Sequence, residues 1–317
     1  MIISILLIVI GMVLVLWGAD RLTDGAVAIA KRMNVPEIVI RLTIVAMGTS
    51  MPEFCVSFAS AMKGTADLAV GNVVGSNIFN AMLIVGAAAI VAPITILKST
   101  VRKDIPFAVF ASLMLLQMGL NYNITRTEAF VLFIMFAVFT IYTVMGTKDN
   151  VEENEKEKEN KHNGSKWSAF FYHPAFGVVF GLSALIFGSN IFVDNATEIA
   201  RLMGVSEAVI GLTIVAAGTS LPELATSIVS ARKGQSGIAI GNVIGSNVFN
   251  ILFIIGLTGM VTPMHISGIT TIDFGVMLIS MLMLWLMSFT KYTLSRWEGA
   301  VLAILYIIYV GWLICNV

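Results

Sequence analysis

Long apolar segments follow one another along almost the whole chain, with short polar breaks between them. Because a helix needs about 20 apolar residues to cross a bilayer, each segment is a candidate membrane span. Ten occur, at residues 2–30, 38–62, 68–92, 105–121, 127–146, 173–200, 208–231, 238–262, 271–289 and 297–315. Only 12% of the residues are charged, against about 25% in a soluble domain. The sequence therefore predicts an all-α integral membrane protein with ten transmembrane helices in the lipid bilayer.

Composition argues against several other classes of protein. The net charge is zero, which gives no indication of a nucleic-acid partner. Cys55 and Cys315 indicate neither a disulfide framework nor a thiolate metal site, and the three histidines lack the spacing of metal ligands. The first apolar run has no basic residue before it and no clear cleavage site, which predicts a membrane helix rather than a signal peptide. We expect a monomer without a bound cofactor.

Lysine and arginine are distributed unequally between the two sides of the predicted bundle. Fourteen lie in the connections after spans 1, 3, 5, 7 and 9, and three, Lys63, Arg126 and Arg201, lie on the opposite side. Because cytoplasmic loops are enriched in these residues, we expect both termini outside. The charged segment 147–167 is then a flexible cytoplasmic loop. This pattern predicts a multi-pass protein of the plasma (inner) membrane.

The chain repeats itself at an offset of 170 residues. Residues 38–64 match 208–234 at 17 of 27 positions, and GNVVGSNIFN, from residue 71, matches GNVIGSNVFN, from residue 241, at 8 of 10. Each copy holds five predicted spans, and five is odd, so the second copy enters the membrane from the opposite face. The predicted units are two inverted-topology five-helix repeats, 1–146 and 168–317. Such repeats occur in many secondary transporters, with the site near the membrane midplane.

An acidic residue stands inside each of the most similar segments, in GTSMPE at 48–53 and GTSLPE at 218–223. Proline lacks an N–H and clashes with the carbonyl four residues before it. Pro52 therefore predicts a break in the second span and a free carbonyl at Gly48, and the second motif predicts the same in the seventh span. Glu53 then begins a new half-helix, where the positive end of the helix dipole favours an ionised carboxylate.

The spacing of polar residues indicates further oxygen ligands beside the two glutamates. Residues four apart share one face of a regular helix. Such pairs are Thr49 with Glu53, Ser76 with Asn80, Thr219 with Glu223, and Ser246 with Asn250. Carboxylate, amide, hydroxyl and carbonyl oxygens are the ligands of hard cations, and Ca2+ takes six to eight of them. Na+ could use overlapping ligands, so the two ions would compete, as coupled exchange requires.

Together these four motif copies resemble the two alpha-repeats of the cation/Ca2+ exchanger superfamily, and they are most similar to the prokaryotic sodium/calcium exchanger family. The resemblance covers both five-span halves. It implies a ten-helix fold in which spans 2, 3, 7 and 8 are broken around the ion sites. It also implies alternating access, in which spans 1 and 6 slide against the rest.

The resemblance also implies roles for individual residues. Glu53 and Glu223 would bind Ca2+ with the backbone of Thr49 and Thr219. The residues that would complete the sodium sites are Ala46, Ser50, Ser76, Asn80, Ala216, Ser220, Ser246 and Asn250.

Two positions depart from the family pattern. Asn250 stands where some members carry aspartate, which leaves two carboxylates and leaves open the ion count and any involvement of protons or K+. Arg41 stands where the other repeat has Gly211. Arginine within a membrane segment is costly, so Arg41 either reaches the cytoplasmic surface or hinders cation entry.

Three functional hypotheses remain. The first is an antiporter that exports Ca2+ in exchange for Na+. The second is a Ca2+/H+ or K+-dependent antiporter on the same scaffold. The third is a cation channel or an intramembrane hydrolase. The sequence has no Ser-His or HExxH arrangement, so we do not expect an enzyme, and inverted halves favour alternating access over a channel.

Overall fold

The computed structural model describes residues 2–33, 45–145, 174–202 and 207–315. Predicted features that lie outside these residues include Arg41 and the loop 147–167. The elements of the first half are α1 (Ile2–Met33), α2 (Ala46–Thr49), α3 (Met51–Met62), α4 (Ala66–Ile78), π1 (Phe79–Ile84), α5 (Val85–Val91), β1 (Ile94–Thr95), π2 (Thr100–Asp104), α6 (Ile105–Gly119), β2 (Asn123–Ile124) and α7 (Arg126–Met145).

The elements of the second half follow a similar order. They are α8 (Pro174–Leu202), α9 (Glu207–Ile210), π3 (Gly211–Val215), α10 (Ala216–Thr219), α11 (Leu221–Arg232), α12 (Ser236–Val248), π4 (Phe249–Ile255), α13 (Gly256–Val261), β3 (Met264–His265), α14 (Thr271–Ser288), β4 (Thr293–Leu294) and α15 (Arg296–Cys315). The order differs in that α9 and π3 precede the short helix α10, and no π-helix precedes α14 among the described residues. The chain is therefore an all-helical protein apart from two pairs of very short strands in its described residues.

Seven helices of the described residues are long and apolar enough to cross a membrane, and one bent pair, 211–219 with 221–232, passes the same test. The chain is thus a multi-pass membrane protein. Two predicted spans do not pass it. The second predicted span begins at residue 38, seven positions before the described chain resumes at Val45, and the fourth corresponds to α6, which has only 15 residues. The count of ten spans remains a prediction.

Two helical stretches lie at the centre of the bundle. Residues 66–91 are 83% buried and residues 236–261 are 94% buried, whereas the other qualifying helices are at most 39% buried. The outer helices expose large apolar side chains such as Leu6, Phe180 and Ile307. Since lipid is an apolar solvent, this surface suits contact with acyl chains.

The central stretches are not broken, contrary to the prediction for spans 3 and 8. Each runs as α-helix, π-helix and α-helix without interruption, through π1 and π4. Neither contains a proline, so no N–H is missing, and the hydrogen-bond ladder shifts from i−4 to i−5 instead of ending. The π-turns contain Asn80 and Asn250.

The breaks predicted in spans 2 and 7 are confirmed. Ser50 separates α2 from α3 with φ −85° and ψ 10°, and Ser220 separates α10 from α11 with φ −85° and ψ 8°. The axes on the two sides of Ser220 differ by 51°. The carbonyl of Gly48 is not free, however, because a backbone N–H at this helix end bonds to it.

Pairs of connections hold the two halves together. β1 is antiparallel to β4, and β2 is antiparallel to β3. The carboxylate of Asp67 accepts hydrogen bonds from the backbone N–H of Ser267 at 2.8 Å and from its hydroxyl at 2.7 Å. The strand pairs join connections of the two halves, and the contacts of Asp67 join the first turn of α4 to the connection between β3 and α14.

The helices α1 and α8 are in close backbone contact. A Cβ added at Gly11 would lie 2.7 Å from the carbonyl oxygen of Gly188, and one added at Gly18 would lie 2.7 Å from that of Gly181. Glycine is required at these positions because any side chain would push the helices apart.

Candidate cation site

The two glutamates of the GTS-x-PE motifs lie in the first turns of α3 and α11, and both are fully buried. Each accepts a hydrogen bond from the serine of the other motif. The hydroxyl of Ser220 donates to Glu53 Oε1 at 2.8 Å, and the hydroxyl of Ser50 donates to Glu223 Oε1 at 2.7 Å. The helix breaks of the two halves therefore face each other.

A second crossed pair of hydrogen bonds involves asparagines that the sequence analysis missed. The hydroxyl of Thr219 donates to Asn72 Oδ1 at 3.1 Å, and that of Thr49 donates to Asn242 Oδ1 at 3.2 Å. Asn72 also donates to the carbonyl oxygen of Glu53 at 3.2 Å. The available signal was their position as the second residue of each repeated GNV motif.

The remaining serines and the two alanines adjoin the same place. The hydroxyl of Ser246 donates to Glu223 Oε1 at 3.2 Å, and that of Ser76 donates to the Ala216 carbonyl at 3.3 Å. The carbonyl of Ala46 accepts the Ser50 N–H at 3.0 Å. The structure thus brings these predicted residues together at the interface of α2, α3, α4, α10, α11 and α12.

The two asparagines of the π-turns have different contacts. Asn80 donates to Asn247 Oδ1 at 2.9 Å, and Asn247 is a residue that the sequence analysis did not select. Both side-chain atoms of Asn250 are buried and have no hydrogen-bond partner among the described residues. The structure does not join Asn80 or Asn250 directly to either glutamate through a hydrogen bond in the described chain.

The donor set is made of oxygen atoms. Oε2 of Glu53 and Oε2 of Glu223 are buried and have no hydrogen-bond partner in the part of the chain that the structure describes. A buried carboxylate oxygen without a partner is costly, and a hard cation bound there would remove that cost. No group of three or more His, Cys, Asp or Glu residues forms a metal-binding cluster among the described residues. The arrangement suits a cation that accepts carboxylate, hydroxyl and amide oxygens.

Comparison with known proteins shows the family to which the chain belongs. The family model for the sodium/calcium exchanger protein matches the chain twice, over residues 3–145 and 173–315. The putative antiporter CaxA of Alkalimonas amylolytica is 37% identical over 319 residues, which cover 98% of each chain. The sodium/calcium exchanger MaX1 of Methanosarcina acetivorans is 32% identical over 338 residues, with coverage of 96% of this chain and 97% of that protein.

A solved structure is similar over the same extent. The sodium-calcium exchanger NCX_Mj, in crystals soaked with Na+ and Ca2+, superposes with a TM-score of 0.81 at 29% identity and covers 98% of both chains. The resemblance predicted from the motifs is thus confirmed. The chain belongs to the sodium/calcium exchanger family, whose members are membrane antiporters rather than enzymes.

Proposed function

We propose that the chain exchanges Na+ for Ca2+ by alternating access and exports Ca2+ from the cytoplasm. The observation that carries this proposal is the pair of buried glutamates at facing helix breaks, each with one oxygen held by the opposite half and one oxygen without a hydrogen-bond partner among the described residues. Two carboxylates neutralise one Ca2+, and the surrounding oxygens can replace its water ligands.

In this proposal the residues of the site form one set of ligands for Ca2+ and one for Na+. Glu53 and Glu223 bind Ca2+ with the backbone oxygens of Thr49 and Thr219. Na+ binds to an overlapping set of oxygens, which belongs to Ala46, Ser50, Ser76, Asn80, Ala216, Ser220, Ser246 and Asn250. Because the two sets share ligands, Na+ and Ca2+ displace each other, and the chain needs no cofactor.

The proposed protein is a monomer in the plasma (inner) membrane, with ten spans in two inverted halves. Both termini lie outside, and the 147–167 loop lies in the cytoplasm. The strand pairs support this topology. In a ten-span chain, the connections that hold β1 and β4 lie on the same side, and those that hold β2 and β3 lie on the other. The double match of the family model supports the division into two similar halves.

The proposed transport cycle depends on the negative charge of the two carboxylates. An empty site with two ionised carboxylates is costly to carry through an apolar barrier. Bound Ca2+, or Na+ in sufficient number, lowers this cost, so α1 and α8 slide across the site only when it is occupied. Exchange is thereby coupled and leakage is suppressed.

The test is uptake of radiolabelled Ca2+ into proteoliposomes loaded with Na+, with K+, or with acidic buffer. Uptake driven by the outward Na+ gradient alone is expected. Uptake that requires K+, or that follows the proton gradient, would replace Na+ coupling by one of the sister mechanisms. Ca2+ flux without any opposing gradient would contradict exchange and indicate a channel.

A further inference from the structure

Helix α11 carries two buried hydroxyls beyond Glu223, in the direction of its carboxyl end. Thr226 and Ser230 follow Glu223 by three and seven residues and so lie on the same side of the helix. Both residues are fully buried. Neither hydroxyl oxygen has a hydrogen-bond partner in the described residues.

Several other helical hydroxyls of this chain donate to a backbone carbonyl of their own helix, whereas Thr258 of α13, like Thr226 and Ser230, has no hydrogen-bond partner among the described residues. Ser112 donates to the carbonyl of Ala108 at 2.9 Å, and Ser183 donates to that of Val179 at 2.8 Å. Each uses the carbonyl four residues earlier, which is the usual solution within a helix. An unsatisfied hydroxyl is costly in a membrane interior. Because Thr226 and Ser230 also lie on the side of α11 that carries Glu223, water or a cation could contact them during the working cycle.

Lys233 follows Ser230 by three residues, at the carboxyl end of α11, and forms ion pairs with α1. Its amine lies 2.8 Å from Asp20 Oδ1 and 2.7 Å from Asp24 Oδ1. Partial burial acts against the charge of the amine, but the hydrogen bonds to the two aspartates and their negative charge outweigh it and raise the pKa of Lys233 above its ordinary value. The amine therefore stays protonated near neutral pH. These three charges hold α1 against the end of α11, next to the row of hydroxyls formed by Thr226 and Ser230.

Apolar contacts reinforce this cover. Ala19 and Leu22 of α1 pack in one buried cluster with Ala225 of α11. Packed side chains thus cover the hydroxyls of Thr226 and Ser230 on the side of α1, and the ion pairs of Lys233 cover them at the end of α11.

The corresponding face of the other half is arranged differently. At an offset of 170 residues, the counterparts of Thr226, Ser230 and Lys233 are Val56, Ser60 and Lys63. Val56 is partly exposed and Ser60 retains 7% of its surface. The counterpart of Asp24 is Asp194 of α8, and no ion pair joins it to Lys63 within the described chain. Helix α8 also packs on α3 less extensively than α1 packs on α11.

We propose that Thr226 and Ser230 line the route of the cation between Glu223 and the cytoplasmic surface, and that Lys233, held by Asp20 and Asp24, is an ionic latch that closes this route. In the opposite conformation the latch opens, and Lys63 pairs with Asp194 to close the other side. This inference rests on the proposed alternating access.

The test of the latch measures the reactivity of a cysteine in the route. In the full chain with Cys55→Ala and Cys315→Ala, the change Ser230→Cys introduces one thiol that is buried while the latch is closed. A membrane-impermeant maleimide is added to both sides of reconstituted vesicles. Because an exposed ion pair shifts a two-state population by a small factor, Lys233→Gln is expected to raise the labelling rate about two- to five-fold.

Two controls make this result specific. Arg232→Gln removes the same charge one residue away, from a residue with no ion pair to α1 among the described residues, and is expected to leave the rate unchanged. The charge exchange Lys233→Asp with Asp24→Lys is expected to bring the rate back towards that of the parent. An unchanged rate in Lys233→Gln, or an equal rise in Arg232→Gln, would overturn the latch.

The route itself is tested by transport. Thr226→Val keeps the shape of the side chain and removes the hydroxyl, and we expect about a five-fold lower exchange rate, the effect of one hydrogen-bonding group. Thr258 in α13 is the matched control, since it is also buried with an unpartnered hydroxyl. Equal rates in Thr226→Val and Thr258→Val would overturn the route.

Failure of the latch and failure of the proposed function are distinguishable. Labelling needs no transported ion, so faster labelling without Na+-driven Ca2+ uptake overturns only the proposed exchange. Na+-driven uptake with unchanged labelling overturns only the latch.

Discussion

Glu53 and Glu223 each have one carboxylate oxygen that accepts a serine hydroxyl from the opposite half and one that has no such partner in the described chain. The first oxygen fixes the orientation of the side chain. The second is available to a ligand without breaking that orientation. A site that is oriented before the ion arrives spends less free energy on ordering when it binds.

Replacing either glutamate by glutamine is expected to abolish Ca2+ exchange, with a loss of at least about 100-fold in uptake rate. The reason is that the change removes one carboxylate from its pairing with the buried Ca2+, and losing one partner of a buried pair of opposite charges costs about 3–5 kcal/mol. The measurement is Na+-driven Ca2+ uptake at equal protein density. Glu128→Gln is the control, since Glu128 caps α7 through the Thr125 N–H at the protein surface and should exchange normally. Robust uptake by the variant with both changes would contradict the site.

Asn72 and Asn242 allow a comparison between matched positions. Asn72 accepts from Thr219 and donates to Glu53 and Ser57, whereas the amide nitrogen of Asn242 has no partner among the described residues. Since losing a buried hydrogen-bond partner costs about 1–3 kcal/mol, Asn72→Ala should weaken Ca2+ affinity by at least about fivefold. Asn242→Ala should weaken it less. The concentration dependence of uptake measures both, and the reverse order would contradict this reading of the contacts.

How far the site could be predicted depends on whether a residue is unusual in its surroundings. A glutamate in an apolar segment is unusual, and so is a glutamate directly after a proline within a membrane span, so the sequence singles out Glu53 and Glu223 as candidates. Asn72 was part of a motif that also contains small packing residues, and no local feature distinguishes a crossed hydrogen bond from packing. Its partner is 147 residues away, and only the fold brings them together.

At the scale of single elements, the two kinds of interrupted helix have different causes. Pro52 and Pro222 end the α-helical ladder and turn the chain at a serine. π1 and π4 widen the helix around an asparagine without ending it. The first kind could be predicted because proline removes a donor. The second could not, because a shift of hydrogen bonds from i−4 to i−5 requires no particular residue.

Pro52→Ala restores the missing N–H and lets α2 continue into α3. Ser50 would then turn away from Glu223, and the loss of a hydrogen bond to a charged group, about 1.5–3 kcal/mol, should weaken Ca2+ affinity at least about tenfold. Thermal stability in detergent should not fall, since the helix gains a bond. Pro106→Ala, in the first turn of α6, is the control and should bind normally. Unaltered affinity in Pro52→Ala would show that the break does not position Ser50.

The ends of most helices lie within a few residues of the predicted spans, because the change from apolar to polar residues coincides with the end of a membrane helix. The predicted ninth and tenth spans, 271–289 and 297–315, correspond to α14 and α15. Strands β1 to β4 were not predicted. Each has two residues, and their pairing is set by the approach of distant connections rather than by local propensity.

At the scale of the whole molecule, α1 and α8 form one tightly packed pair outside the central helices. Their backbones approach so closely at Gly11 with Gly188, and at Gly18 with Gly181, that they would move together. A pair that moves as one body is what the proposed cycle requires, because uncovering one face of the site then covers the other.

Gly18→Ala is expected to lower the midpoint of thermal unfolding by a few degrees, since its Cβ would lie 2.7 Å from the Gly181 carbonyl oxygen and overpacking costs about 1–3 kcal/mol. Gly275→Ala is the matched control in α14, where nothing lies within 4 Å of the added atom. It should be neutral or slightly stabilising, because alanine favours helix over glycine. Equal midpoints in the two variants would contradict the close contact of α1 with α8.

The crossed donation from Ser220 to Glu53 and from Ser50 to Glu223 has a consequence for ancestry. Glu53 takes this serine donor from the other half, whereas Glu223 accepts from Ser50 of the other half and also from Ser246 of its own. One copy alone would therefore lack the crossed serine contact that both glutamates share. An ancestor that encoded a single copy would have made these crossed contacts by pairing two identical subunits. Fusion of the duplicated genes would then have joined the two subunits in one chain, after which the copies could diverge, as Val56 and Thr226 have.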